Sequence, residues 1–201
     1  MQEETAVIRR VLDGDADAFA PIVEAYQKTV YNLALRMTGN PEDALDVSQE
    51  TFIKAYNSLS SFRGDSKFSV WLYRIASNVC LDFLRTRSRR ATVSLNVQSP
   101  DGEEGELEIP DERALPEEEL LRTAARDAVR RGLQILPDDQ RQILLLREIN
   151  GLSYDEIASV LQLEAGTVKS RIFRARKKLC AYLASDGNIP GEYSSVTAKE
   201  V

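Results

Sequence analysis

The helical periodicity that runs through most of this chain stops over residues 91–115, and that interruption fixes the architecture the chain can adopt. The run Ser99, Pro100, Asp101, Gly102, Glu103, Glu104, Gly105 is acidic, rich in helix breakers and without an apolar repeat, the composition of a linker rather than a packed element. On either side of it, apolar residues recur at three- and four-residue steps, and glycines and prolines fall between the periodic segments. The expected fold is all-α, with two small helical domains. A three- or four-helix bundle covers 1–90, a flexible acidic linker 91–115, a four-helix domain containing a helix-turn-helix 116–183, and a disordered tail 184–201.

In the first domain, Asp15 or Asp17 can cap a helix whose core side is Phe19, Ile22, Val23, Tyr26, Val30, Leu33 and Met37. Gly39 ends it, and Asn40-Pro41 opens the next, with Asn as N-cap and Pro in the first turn. That second helix directs Leu45, Phe52, Ala55, Tyr56 and Leu59 inward and leaves Asp46, Gln49, Glu50 and Ile53 on a neighbouring face. A third carries Phe68, Leu72, Ile75, Val79 and Phe83. In the second domain, Leu120, Leu121, Ala124, Val129 and Leu133 mark one helix. Pro137 opens another with Ile143, Leu144, Leu146 and Ile149. Ser153-Tyr154-Asp155-Glu156 matches a capping box.

The net charge of −6 conceals two basic patches. Residues 66–90 hold six bases and one acid, and residues 163–182 again hold six bases and one acid. Residues 101–120 between them hold ten acids and one base, and residues 1–60 hold ten acids and five bases. Short basic segments within an acidic chain point to local contacts with nucleic acid.

Residues 153–176 carry the pattern of a helix-turn-helix. Ala158 is small where the two helices cross, and Ile157, Leu161, Leu163, Val168 and Ile172 lock them. The second helix then presents Thr167, Lys169, Ser170, Arg171, Arg174 and Lys178 outward, with Phe173 and Arg176 beside them. Such a helix can offer its first turns to base edges in a major groove and its longer cations to phosphates.

Residues 62–90 carry a different pattern. Phe68, Trp71 and Tyr73 interleave with Lys67, Arg74 and the basic run Arg85, Arg87, Arg89, Arg90. Aromatic faces stack on unpaired bases while cations track the backbone, and the preceding loop can hold an extruded base. Core packing is the competing reading for Phe68 and Trp71.

The chain has two cysteines, a hundred positions apart, and no histidine. We therefore expect reduced thiols, no metal site, no cofactor and no catalytic residues. A nuclease holding a metal on Asp43, Asp46 and Glu50 would need a second acidic cluster or a phosphate loop, which the sequence does not supply. A stand-alone regulator would need a sensory domain upstream, and residues 1–90 show no alternation of strands and helices. With no apolar run of ~18 residues and no basic-then-apolar leader, no membrane insertion is expected and the compartment is the cytoplasm.

Taken together, residues 43–56 (DALDVSQETFIKAY), 61–78 (SFRGDSKFSVWLYRIASN) and 146–179 (LREINGLSYDEIASVLQLEAGTVKSRIFRARKKL) resemble the extracytoplasmic-function (ECF) sigma factors of the sigma-70 family, most closely the sigma-E envelope-stress type. The resemblance implies a bacterial sigma factor that binds core RNA polymerase and directs promoter-specific initiation in a stress response. The partners it implies are the beta-prime clamp helices and beta flap of polymerase, promoter DNA and an anti-sigma factor, with the free chain a monomer. It assigns polymerase binding to Asp43, Asp46, Gln49, Glu50 and Ile53. It assigns the minus-ten element to Phe62, Arg63, Gly64, Asp65, Ser66, Lys67, Trp71, Tyr73, Arg74, Asn78 and Arg85. The minus-thirty-five element falls to Thr167, Lys169, Ser170, Arg171, Phe173, Arg174, Arg176 and Lys178. The acidic linker would thread toward the RNA exit path.

Overall fold

The computed structural model describes the backbone of residues 2–93 and 116–185, with side chains over 4–90 and 123–185. The expected linker lies outside these residues except at its first three positions, where a helix continues to Val93, and the expected tail lies outside them after Ser185. In chain order the elements are α1 (Gln2–Leu12), α2 (Ala20–Thr38), α3 (Pro41–Asn57), α4 (Phe68–Val93), α5 (Pro116–Gln134), α6 (Asp138–Leu144), α7 (Tyr154–Leu161) and α8 (Ala165–Ser185). Single 3-10 turns precede α2 and follow α3, and a π-helical turn, Leu145–Ile149, extends α6. The described residues contain no strand.

α1 is an element the sequence reading did not name. Its apolar side is narrow, with Ile8 and Val11 buried, so its period is easily missed. Asp15 caps the turn after it rather than α2 itself, accepting from the Ala18 N–H at 3.2 Å. The junction of α2 and α3 forms as expected. Gly39 takes a left-handed conformation at the end of α2 (φ 73°), and Asn40 Oδ1 accepts from the Asp43 N–H at 3.0 Å with Pro41 in the first turn.

The expected core residues Phe19, Ile22, Val30, Leu33 and Met37 of the α2 segment, and Phe68, Leu72 and Val79 of α4, are buried. On α3 the inward face is rotated from the expectation. Ala44, Val47, Ser48, Thr51, Phe52 and Ala55 are buried, whereas Leu45 and Tyr56 are exposed. The small residues allow α3 to lie close on α2, and the longer Leu45 and Tyr56 do not fit between them. Tyr56 instead meets Phe19 edge-on from the outside, with ring centroids 5.3 Å apart. A similar shift affects the second unit. Ala128 and Leu133 of α5 are buried, while Ala124, Val129 and, after α6, Ile149 are exposed.

The two units pack against each other, α4 against α6 and α7, and α2 against α5 and α6. Arg141 lies at the centre of this seam and is almost fully buried. Its Nε donates to the Leu133 carbonyl at 2.8 Å, and its Nη2 to the Gln134 and Leu136 carbonyls, each at 3.1 Å. Its Nη1 donates across the seam to the Met37 carbonyl at the end of α2. Beside it, Gln134 Nε2 donates to the Arg36 carbonyl at 3.0 Å, and Gln142 Nε2 reaches the Ser77 carbonyl of α4 at 3.2 Å. Helix C-terminal carbonyls lack partners within the helix and carry partial negative charge. A guanidinium and an amide are therefore well matched to the ends of α5 and α2.

These placements separate true core positions from merely apolar ones. Phe68→Ala should destabilise the chain by about 3–5 kcal/mol, whereas Leu45→Ser should change stability by no more than about 0.5 kcal/mol. Chemical denaturation followed by circular dichroism measures both.

Candidate nucleic-acid interface

α7 starts where the sequence places it. Ser153 Oγ accepts from the Glu156 N–H at 3.2 Å, and the Glu156 carboxylate accepts from the Ser153 N–H at 2.8 Å. Gln162 then adopts a left-handed conformation (φ 54°), turning the chain between α7 and α8 without a glycine. Ile157, Val168 and Ile172 are buried between the two helices, and Leu161 and Leu163 are half-buried beside them. The result is a helix-turn-helix whose second helix turns its polar side to solvent.

On that side, Lys169, Ser170, Phe173, Arg174, Arg176 and Lys178 are exposed, and Thr167 and Arg171 are half-buried. Phe173 is 59% exposed, an apolar surface large enough to meet a thymine methyl. The cations are not equivalent. Arg176 is held by Glu148 at 2.6 Å, and Arg171 lies 3.5 Å from Asp139 of α6. Both pairs are solvent-accessible, so phosphate can compete for these cations.

The candidate residues before and along α4 are divided. Arg63, Gly64, Asp65, Lys67, Asn78 and Arg85 are exposed, and Ser66 is half-buried. Trp71 is buried in a cluster with Phe62 and Phe68, at centroid distances of 5.5 and 5.3 Å. In this conformation Trp71 packs the core and offers no open face to a base. Tyr73 is also buried, and burial raises its hydroxyl pKa. Arg74 Nη2 donates to Ser159 of α7 at 3.0 Å, and Lys67 pairs with Glu156 at 3.0 Å. Within the terminal basic run, Arg87 pairs with Asp43 of α3 at 2.5 Å and Arg85 with Asp82 at 3.4 Å.

On α3, Asp46, Gln49, Glu50 and Ile53 form one exposed face that mixes acid with an apolar side chain 56% exposed. Glu50 pairs with Lys54 at 3.3 Å along the same helix. Asp43 differs from its neighbours, being half-buried and committed to Arg87. The described residues hold no cluster of three or more potential metal ligands, and Cys80 and Cys180 are both reduced, one buried and one exposed.

Sequence reasoning missed the residues of the seam. Arg141 stands three and four positions before the buried Leu144 and Leu145, so a charge on the apolar stripe was the available signal. No local pattern marked Gln134, Gln142, Ser77 or Ser159, because their partners lie 65–98 positions away.

A helical unit with an exposed acidic face, joined in one chain to a helix-turn-helix, defines a two-part DNA-binding factor. The model of Sigma-70 region 2 matches residues 22–90 and that of Sigma-70 region 4 matches residues 126–179. Over 180 residues the chain is 43% identical to the RNA polymerase sigma-H factor of Pseudomonas aeruginosa, covering 89% of this chain and 92% of that protein. It is 42% identical to the ECF RNA polymerase sigma-E factor of Escherichia coli K12, covering 88% and 92%. Among solved structures it is similar to the sigma factor RpoE of Bartonella quintana in complex with the anti-sigma factor NepR. That match has a TM-score of 0.66 at 26% identity, over 84% of this chain and 98% of the other. CnrH in complex with the cytosolic domain of CnrY matches with a TM-score of 0.61 at 30% identity, over 92% and 99%. The chain belongs to the sigma-70 family and is a sigma factor of the ECF type.

The capping box makes α7 sensitive to acid. Backbone hydrogen bonding at Ser153, and then Lys67, hold the Glu156 carboxyl below its ordinary value. The charged form is thus favoured on folding. Its contribution is complete above the ordinary glutamate range and fades as acid protonates the folded carboxyl. Glu156→Gln keeps the cap geometry without the charge. Its unfolding free energy should therefore fall less steeply than that of the unaltered chain between about pH 6 and about pH 3.

Proposed function

We propose that this sigma factor acts without catalysis of its own, in the cytoplasm, by joining core RNA polymerase to promoter DNA through three separate surfaces. The exposed face of α3, with Asp46, Gln49, Glu50 and Ile53, docks on the basic clamp helices of polymerase, and Asp43 shapes that face through Arg87. The loop 62–67 and one side of α4, with the half-buried Arg74 and the exposed Asn78, take the opened minus-ten element. The exposed side of α8 takes the minus-thirty-five element as intact duplex. An anti-sigma factor controls the chain by covering these surfaces.

The observation that carries this reading is the coexistence of two unlike surfaces on one chain. The α3 face is acidic and apolar and suits a basic protein partner. The α8 face combines Lys169, Arg174 and Lys178 with an exposed phenylalanine on the second helix of a helix-turn-helix. Two modest DNA contacts gain effective concentration once one polymerase holds both. The isolated chain, net acidic, would bind promoters poorly by itself.

Run-off transcription with purified core polymerase over a library of promoter fragments tests the reading. Initiation that depends on this chain supports it, and failure on every template contradicts it. Asp46→Arg should weaken core binding by at least about tenfold, measured by fluorescence anisotropy with labelled sigma, through reversal of one charge in the docking face. Arg174→Ala should leave core binding intact and cost about 1–3 kcal/mol at the upstream element if the side chain is bidentate to a base. Electrophoretic mobility of the assembled holoenzyme on an upstream-element duplex measures that loss.

A further inference from the structure

We propose that α1 braces the loop that takes the opened minus-ten strand, with Glu4 and Tyr26 as positioning residues that do not touch DNA. The inference rests on reading loop 62–67 as part of the minus-ten surface, and it names residues that set the shape of that loop from the protein side. α1 lies outside the residues that the Sigma-70 region 2 model matches, which begin at 22.

The loop is held at both ends. It leaves the 3-10 turn Leu59–Ser61, and α1 packs against that turn, with Leu59 of the turn and Ile8 and Val11 of α1 all buried. It re-enters the fold at Phe68, whose ring centroid lies 5.4 Å from that of Phe62 and 5.3 Å from that of Trp71. The Tyr26 ring of α2 rests against Phe68 at 5.7 Å. The Tyr26 hydroxyl donates to Glu4 Oε1 of α1 at 2.5 Å. Burial, and then Glu4 itself, push that hydroxyl above its ordinary pKa, so it keeps the proton it donates. Contacts thus run from Glu4 through Tyr26 and Phe68 to Trp71 and to Phe62, the first residue of the loop.

Between its ends the loop has little support of its own. Arg63, Gly64, Asp65 and Lys67 are exposed. Gly64 takes a left-handed conformation (φ 79°), and a side chain built there would meet nothing. A loop that discriminates between bases needs its donors and acceptors set in advance. Ordering it on binding costs affinity, and small displacements weaken each contact. The aromatic cluster supplies that order, and the Tyr26–Glu4 bond ties the cluster to α1. Glu4, Tyr26, Phe68, Phe62 and Trp71 all lie off the exposed face of α3, so core binding does not depend on them.

Trp71 is the one tryptophan of the sequence, so its fluorescence reports on the cluster in the full chain. Tyr26→Phe keeps the ring and removes the hydroxyl. Glu4→Ala removes the acceptor and keeps a good helix former. Glu4→Gln retains an acceptor oxygen. Tyr26→Phe and Glu4→Ala should each make Trp71 more readily quenched by acrylamide, and Glu4→Gln should not. Run-off transcription with the unaltered chain selects a promoter, and single-base variants of its minus-ten element are then compared. The rates at which holoenzyme opens them give a discrimination ratio. Tyr26→Phe and Glu4→Ala should each lower that ratio about fivefold, equivalent to one net hydrogen bond of about 1 kcal/mol. The double variant should be no worse than either single one, because both changes remove the same bond. Glu4→Gln should retain the ratio, and core binding measured by anisotropy should be unchanged throughout.

Full discrimination in both single variants overturns the brace, whether or not Trp71 quenching changes. So do losses that add in the double variant, a Glu4→Gln chain as impaired as Glu4→Ala, or a parallel loss of core binding. An unaltered chain that initiates on no template sinks the minus-ten reading, and the brace falls with it. An unaltered chain that discriminates no better than its variants sinks the brace alone.

Discussion

The arrangement of the two helical units depends on a buried guanidinium. Arg141 sits where the ends of α5 and α2 converge, and its nitrogens donate to carbonyls of both. A buried cation without partners would cost several kcal/mol. Here the partial negative charge of two helix ends receives it, and Asp138 lies 3.5 Å away at the solvent edge. Burial pulls the guanidinium below its ordinary pKa while Asp138 opposes that. Because arginine begins so far above neutrality, it remains charged. The donors form a planar fork, so the carbonyls of the two units are held in a defined geometry.

That seam gives several residues two roles. Glu156 closes the capping box of α7 and also holds Lys67. Arg74 belongs by position to the proposed strand-opening surface, yet it is bonded to the first helix of the helix-turn-helix. By contrast, the acidic face of α3 and the outer face of α8 are exposed in the same structure. Under the proposed function, polymerase can therefore reach its docking face before the strand-opening surface is uncovered. Order of assembly would then follow from geometry, with the net acidic chain kept from non-productive contact with DNA until core is present.

Local chemistry was legible in the sequence wherever its cause was local. Asn40-Pro41, Gly39 and the Ser153–Glu156 box each set a helix boundary, and each forms as the residues require. The helix-turn-helix was legible because Ala158, Val168 and Ile172 lie within one short pattern. Facing was harder to read. On α3 the burial of Ala44, Thr51 and Ala55, rather than Leu45 and Tyr56, reflects how closely α2 approaches, which a single helix does not encode. Trp71 illustrates the same limit. Its spacing suits both base stacking and core packing, and the choice depends on Phe62 and Phe68, which surround it only after the loop folds back. The seam was least legible, since each hydrogen bond that crosses between the two units joins residues 65 or more positions apart in the chain. A single arginine on an apolar stripe was its one trace.

The claim that joins these observations is that separating the two units precedes the reading of opened DNA. It is tested most directly by locking the seam outside every proposed binding surface. Arg36→Cys with Gln134→Cys, in a Cys180→Ser background, brings two thiols to the end of α2 and the facing end of α5, where Gln134 now bonds the Arg36 carbonyl. A short, reductively cleavable linker can bridge them. The bridged chain should fail to support run-off transcription with core polymerase and regain full activity when the linker is cut. Equal initiation before and after cleavage would contradict the account.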